Sequence, residues 1–502
     1  MMTRVKGLLV LVGLTACGFA SGALAGDSAG RGADEPGAVY EYFMRPPGPG
    51  EGYDTWAGAR GPDVGEVEVD PGRLPSRVDN SSRSAFPPIY RQRYGTCGQY
   101  TAAATMFTYE MNVLNGTAAD ADERRFPATF SWNMMNQAKK TGSEAYHGWE
   151  VAKRVGLPTI ATYGSVERLE VGAWPNGYDV WRDAMNYRVT GYRYTPALTV
   201  EQLNEARGWL YDRNQPEKAG GSIGGLLALD GRMGKKQERH RYTVKVAEGG
   251  YEAGEDLWKT WGPSGYGHGI TCAGYDDNVG YDLNGDGRIT NDVDINGDGE
   301  VTLADWERGA YIVVNSWGTT WSGDGKIYLL YSAMVDPTWK RGNYFGRIEV
   351  AKHVPRMTLR LKLSCDNRED LRVTVGLSND PGAAEAEHAL SPEALNGWPV
   401  FGGSGPGDVP LAGPGDDAPL ELGVDLTPLL ASLGAERGER AAVFLTISRA
   451  EDSDATGELH EAAVRFYDAA GEFVEEVPIR VGDGVFGEKP LAIRATAKML
   501  SP

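Results

Sequence analysis

Cysteine, cationic side chains and long apolar runs are all scarce in this chain. Four cysteines in 502 residues are too few for a disulfide scaffold, so a buried core has to hold the fold. Lys and Arg number 50 against 69 Asp and Glu, a formal charge of −19. That deficit excludes broad attachment to nucleic acid or anionic lipid, because phosphate contacts need clustered cations. Beyond the N-terminal segment no apolar run approaches the roughly 20 residues of a membrane-spanning helix. What is present is an ordinary globular balance, 41% hydrophobic and 24% charged, which argues against disorder. The length accommodates two to four domains, and 68 glycines with 28 prolines imply many turns and loops.

The first 25 residues read as a signal peptide. Arg4 and Lys6 precede the apolar run Gly7 to Gly13, and Ala23 and Ala25 form an A-x-A cleavage pattern. Leu14-Thr15-Ala16-Cys17 also resembles a bacterial lipobox, so lipidation of Cys17 competes with cleavage after Ala25, and the chain is expected to be exported, secreted or held at the cell envelope. Residues 26–73, with Pro46-Pro47-Gly48-Pro49-Gly50, read as a linker or short pro-region. Near Lys352 the composition changes again. Leu359, Leu361 and Leu363 alternate with polar residues, as do Leu371, Val373 and Val375, and Val443, Leu445 and Ile447. This period of two predicts a C-terminal β-sandwich over 351–502. Its ligand is not legible.

The chemistry lies between Leu74 and Val350. After Gly95-Thr96-Cys97, apolar residues fall at Tyr100, Ala104, Phe107 and Met111, a helical stripe that sets Cys97 at a helix N-terminus. The macrodipole there favours thiolate, so this cysteine can be a nucleophile; the plainer reading is a small buried hydrophobe. Gly267-His268-Gly269-Ile270 places a histidine at the start of a buried strand. Tyr311 to Val314 followed by Asn315-Ser316-Trp317-Gly318 places an asparagine at the end of another. A thiol needs an imidazole to form the ion pair and to protonate the leaving amine, and the imidazole needs an amide or carboxylate to orient it. Cys97, His268 and Asn315 supply all three.

These segments resemble the papain-like cysteine peptidases. The N-S-W-G-x-x-W run at Asn315 to Trp321, with Gly323 and Gly325 after it, is highly specific. G-H-x-I-x-x-x-G-Y at Gly267 to Tyr275 and C-x-x-[FY]-[ST]-A at Cys97 to Ala102 are less so. The resemblance covers residues 74–350. It implies an α+β, two-lobed domain with a helical left lobe and an antiparallel β right lobe. Cys97 is then the nucleophile, His268 the general acid/base, Asn315 its orienter, Trp317 a shield over their contact and Gln92 the oxyanion-hole amide. Peptides or proteins are the implied substrates. The chain departs from the family at Gly98, where a tryptophan is usual, and at Gln92, which lies five residues before Cys97 instead of six. The extra cysteines near the nucleophile and the long helical pro-domain are absent. A helix near Gly148 to Ala152 followed by a strand at Val155 to Pro158, a helix over Val200 to Asp212 and a strand from Ser222 to Leu229 are expected. His147, Trp174, Trp181 and Trp261 either line subsites or sit in the core. Cys272 and Cys365 read as buried thiols.

Between His268 and Asn315 lies an acidic repeat. Asp294, Asn296 and Asp298 supply oxygens at positions 1, 3 and 5 of a twelve-residue loop, Gly299 stands at the sharp turn, and Asp305 ends it with a carboxylate. This is the order in which one chain wraps a calcium ion; position 7, which donates its main-chain carbonyl, is Glu300. Asp282, Asn284, Asp286 and Arg288 repeat the first half, but position 12 is Val293, so closure falls to Asp292 or Asp294. The tandem loops at 282–305 resemble dockerin or thrombospondin type 3 repeats, which implies one or two structural calcium ions; solvated Asn-Gly and Asp-Gly turns are the plainer alternative. Two functions stay open: a cysteine endopeptidase (or amidase or transpeptidase working through the same thioester), and an inactive calcium-stabilised binding or adhesion protein on the same scaffold. Cys97, His268 and Asn315 together favour the first; Gly98 and the shifted Gln92 are the best evidence for the second.

Overall fold

The computed structural model describes residues 70–135, 142–164, 173–213, 223–233, 256–259, 266–322, 324–335, 344–396, 409–413, 419–434 and 440–498. Residues 1–69, Cys17 among them, and Trp261 lie outside the described residues. Among the described residues no helix is long and apolar enough to cross a membrane.

The fold is built around a helix that starts at Cys97. It runs as an α-turn over Cys97–Gln99, a π-helical stretch over Tyr100–Phe107 and an α-helix over Thr108–Asn115. Tyr100, Ala104, Phe107 and Met111 are all buried, as the stripe predicts. The wider π turns are not predicted by it. Ala102, Ala103, Ala104, Met106 and Phe107 are buried on every side, so packing all round, not one amphipathic face, sets the winding here. Helices Ala128–Met135 and Ala145–Arg154 pack against this axis. No strand follows at 155–158. The chain reverses at Gly156 (φ 97°), where a Cβ would lie 1.8 Å from the Ala184 carbonyl oxygen, and enters the short helix Ile160–Tyr163. Helix Val200–Tyr211 forms where the periodicity places it, capped by the Thr199 hydroxyl and the Gln202 side chain. Ser222, from which a strand is expected, lies outside the described residues; among the described ones the strand begins at Leu227.

The opposite lobe is an eight-stranded sheet: β1 (Arg77–Asp79), β2 (Tyr187–Pro196), β3 (Leu227–Met233), β4 (Leu257–Trp258), β5 (Tyr266–Gly280), β6 (Arg308–Val314), β7 (Lys326–Leu330) and β8 (Tyr344–Lys352). Its order is β2-β8-β3-β5-β6-β7-β4, with β1 on β5, and only the β4–β7 pair is parallel. β5 and β6 are neighbours, with Thr271 opposite Val314 and, past a shift in register between Cys272 and Gly274, Tyr275 opposite Tyr311.

Nine further strands make the C-terminal sandwich: β9 (Met357–Cys365), β10 (Leu371–Ser378), β11 (His388–Leu390), β12 (Leu420–Asp425), β13 (Arg440–Arg449), β14 (Gly457–Tyr467), β15 (Phe473–Ile479), β16 (Val485–Phe486) and β17 (Leu491–Lys498). One sheet is β11-β10-β13-β17; the other is β12-β9-β14-β15 with β16 on β14. Leu359, Leu361, Leu363, Val373, Val375, Leu445 and Ile447 all point inward, because alternation puts every second side chain on one face. The sandwich is not tethered by a loose linker. One buried cluster runs from Phe107, Trp149 and Trp181 of the helical lobe into Leu361, Val373 and Leu445 of the sandwich. Buried hydroxyls join the two across the seam: Tyr178 meets Thr358 and Tyr467, each at 2.6 Å. The chain is therefore α+β, a helical lobe against a largely antiparallel sheet, followed by a β-sandwich.

Candidate active site

β5 and β6 bring together two of the three residues proposed for catalysis. His268 Nε2 lies 2.9 Å from Asn315 Oδ1, and both side chains are buried. An amide oxygen can only accept, so Nε2 carries the hydrogen and Nδ1 is left as the basic nitrogen. The Trp317 ring lies 5.0 Å from the imidazole centroid at 36°, covering the contact. The motif around Asn315 has a local cause. Gly318 (φ 81°) and Gly325 (φ 88°) take left-handed conformations that a side chain resists, and the Asn315 N–H donates to the Gly325 carbonyl at 3.0 Å, closing the loop beneath the asparagine.

Cys97 starts the central helix and is 8% exposed. The turn bearing it packs directly on β5, the strand of His268. Gln92 reaches this region by crossing to the Asn315 loop. Its N–H donates to the Ser316 carbonyl at 2.7 Å, its Oε1 accepts from the Ser316 hydroxyl at 2.6 Å, and its Nε2 donates to the Tyr94 carbonyl at 3.1 Å. Tyr94 is left-handed at φ 53°, a strained conformation for a bulky residue that turns the short Gln92-to-Cys97 approach. Tyr90, Tyr100, Thr101, Thr271, Asn315 and Ser316 line a crevice.

The structure accounts for Gly98. A Cβ on it would sit 1.9 Å from the Ser143 carbonyl oxygen. The space a larger side chain would take is filled by the main chain of Ser143 and Glu144. Gln99, which sequence reasoning passes over, joins that segment to the helix. Fully buried, it donates to Ser143 Oγ at 2.9 Å and the Glu144 carbonyl at 3.0 Å, and accepts from Ser131 Oγ at 2.7 Å. A buried glutamine beside a nucleophile candidate is the only signal that could have drawn notice.

His147 is not a subsite residue. It is buried as the third residue of helix Ala145–Arg154, where Nδ1 accepts from the Glu144 N–H at 3.1 Å, and burial pushes its imidazole down to about 3. Trp174 and Trp181 are core residues of the shared cluster. Cys272 and Cys365 are buried thiols, pushed up to about 12 and about 11 by burial.

The acidic insert joins β5 to β6 as two loops with one hydrogen-bonding pattern. Asp282 accepts from the N–H groups of Gly285 and Gly287, as Asp294 does from Gly297 and Gly299. Asn284 and Asn296 accept from Asp286 and Asp298, and those aspartates from Arg288 and Glu300. Asp305 Oδ1 accepts from Ile295 and Asn296, each at 3.1 Å, and Oδ2 from Thr302 at 2.9 Å. The residue doing the same for the first loop is Glu307, not Asp292 or Asp294. Its Oε1 accepts from Leu283 and Asn284, and its Oε2 from Thr290 at 3.0 Å. Asp305 and Glu307 are both buried. Among the described residues no three His, Cys, Asp or Glu side chains converge as a metal cluster; these carboxylates are turned onto main-chain N–H groups. As a donor set the loops offer only oxygens, in the order a hard cation takes them.

No protein-family model matches this chain, and no curated protein does. Among solved structures, it is similar to xylellain, a cysteine protease from Xylella fastidiosa, at 15% identity and a TM-score of 0.36, covering 57% of this chain and 94% of that one. It is similar to the bromelain protease of Ananas comosus in complex with the E64 inhibitor at 13% identity and a TM-score of 0.34, covering 55% and 99%. Digestive procathepsin L 3 of Tenebrio molitor larval midgut gives 12% identity and a TM-score of 0.34, covering 60% and 79%. Likeness of this order leaves the functional assignment to the site's own geometry.

Proposed function

We propose that this protein is an exported, papain-like cysteine endopeptidase. The observation that carries the reading is the 2.9 Å His268–Asn315 bond under Trp317, on a strand packed against the helix start that bears Cys97. Cys97 gives its proton to His268 Nδ1, and the thiolate attacks the scissile carbonyl. The oxyanion is received by the Cys97 N–H and the Gln92 amide. The imidazolium protonates the leaving amine as the C–N bond breaks, which leaves a thioester; water activated by the same imidazole then releases the acid and restores the thiol. Gly98, which favoured an inactive scaffold in the sequence, is supported here as a packing requirement.

The two loops fit calcium in donor chemistry. Asp282, Asn284, Asp286, the Arg288 carbonyl and Glu307 would hold one ion; Asp294, Asn296, Asp298, the Glu300 carbonyl and Asp305 the other. A bound cation would offset the mutual repulsion of these carboxylates and firm the connection between the strands of His268 and Asn315. The test of the peptidase reading is the rate of Cys97 alkylation by iodoacetamide against pH, in wild type and His268→Ala. Fast alkylation at mildly acidic pH, lost in the variant, supports the ion pair. A rise only near the free-thiol value of about 8.5 in both proteins would sink it.

A further inference from the structure

A segment of main chain runs alongside the proposed nucleophile. A Cβ on Gly142 would lie 3.6 Å from the Gly95 carbonyl oxygen, and one on Gly98 would lie 1.9 Å from that of Ser143. Gly142 is exposed and Ser143 half-buried, so 142–144 forms a backbone wall beside Cys97. The Gln99 side chain ties it to the helix that begins at Cys97. The Gln99 amide, two residues after Cys97, uses both kinds of hydrogen-bonding group: its nitrogen holds Ser143 Oγ and the Glu144 carbonyl, and its oxygen holds Ser131 of helix Ala128–Met135. Gly148 makes room for it, since a Cβ there would lie 2.2 Å from Gln99 Oε1. A carboxylate in its place would offer no donor to the Glu144 carbonyl, and a hydroxyl would not span the three partners.

We infer that Gln99 is a positioning residue for substrate. It sets the height of the 142–144 wall against which the peptide arm of a substrate docks, and it leaves the thiol–imidazole chemistry alone. This rests on the peptidase reading. The wall side is main chain, so it suits a ligand recognised through its own backbone: an extended polypeptide and not a small amide.

Gln99→Ala and the similar-sized, uncharged Gln99→Met test this. Each would be compared with wild type in alkylation of Cys97 by a panel of dipeptidyl chloromethyl ketones, which carry a peptide arm, and by iodoacetamide, which carries none. The ratio of the two rates is expected to fall about tenfold in both variants, the scale of one or two buried hydrogen bonds lost. The iodoacetamide rate should stay within about twofold of wild type, since nothing that touches His268 is removed. An unchanged ratio, or two rates that fall in step, overturns the inference. If Gln99→Ala does not fold, Gln99→Met carries the test, because it leaves no large cavity and buries no charge. A wild-type protein that reacts no faster with any peptidyl probe than with iodoacetamide overturns the peptidase reading itself, and this inference with it.

Discussion

Replacing Gly98 by alanine tests the wall with one methyl group. The added Cβ would stand 1.9 Å from the Ser143 carbonyl oxygen and 2.9 Å from its carbon, and contacts below 3.0 Å require something to shift. The oxygen must therefore retreat by 3.0 − 1.9 = 1.1 Å at least. It belongs to main chain, and that main chain is held by Gln99 and leads into the Glu144 cap of helix Ala145–Arg154. Overpacking of this kind costs about 1–3 kcal/mol, and a clash against anchored backbone belongs at the upper end. For a chain of 502 residues about 3 kcal/mol lowers Tm by roughly 3 °C, measured by circular dichroism. The same substitution in a Gln99→Ala background should cost about 1 kcal/mol less, because the wall is then free to move. A Gly98→Ala protein within about 0.5 kcal/mol of wild type, the range of an inconsequential surface change, refutes the packing argument. Strictly additive costs refute the link to Gln99.

Two further outcomes are expected. The folded-state pKa of His147 lies at about 3, below its ordinary 6.5, so its contribution to stability is complete above 6.5 and is lost as pH falls toward 3. The slope is at most about 1.4 kcal/mol per pH unit; urea melts between pH 7 and 4 should show His147→Gln losing less stability on acidification than wild type, and equal losses would contradict this. Calcium at about a hundred times its Kd should stabilise the chain by about 2.7 kcal/mol per site, reversed by EDTA. Glu307→Gln should forfeit one site's share as Asp305→Asn does, whereas Asp292→Asn should not; the opposite order would return closure of the first loop to Asp292.

His268, Asn315 and Trp317 were legible because each stands in a short motif written within a few residues, although the contact they form spans 47 positions. The sandwich strands were legible for the same reason, since Leu359, Leu361 and Leu363 carry their facing in their own spacing. Gln99 and Glu307 were not. Gln99 acts on a residue 44 positions away and Glu307 on one 24 positions away, and a fixed twelve-residue template cannot see a carboxylate lent by the following loop. The π turns and the reversal at Gly156 escaped because packing from several sides decided them. The Gln92 side chain is held on the Ser316 hydroxyl and the Tyr94 carbonyl, partners that no spacing rule contains.

The cluster shared between helical lobe and sandwich bears on how this protein can be handled and varied. Tyr178 spans the seam with its hydroxyl on both Thr358 and Tyr467, while Trp181 and Met185 close over Gly423. A chain cut after Lys352 would expose an oily face where the sandwich had been. The C-terminal half thus behaves as the back plate of the helical lobe, and any exchange of it for another module has to carry the matching side of that seam.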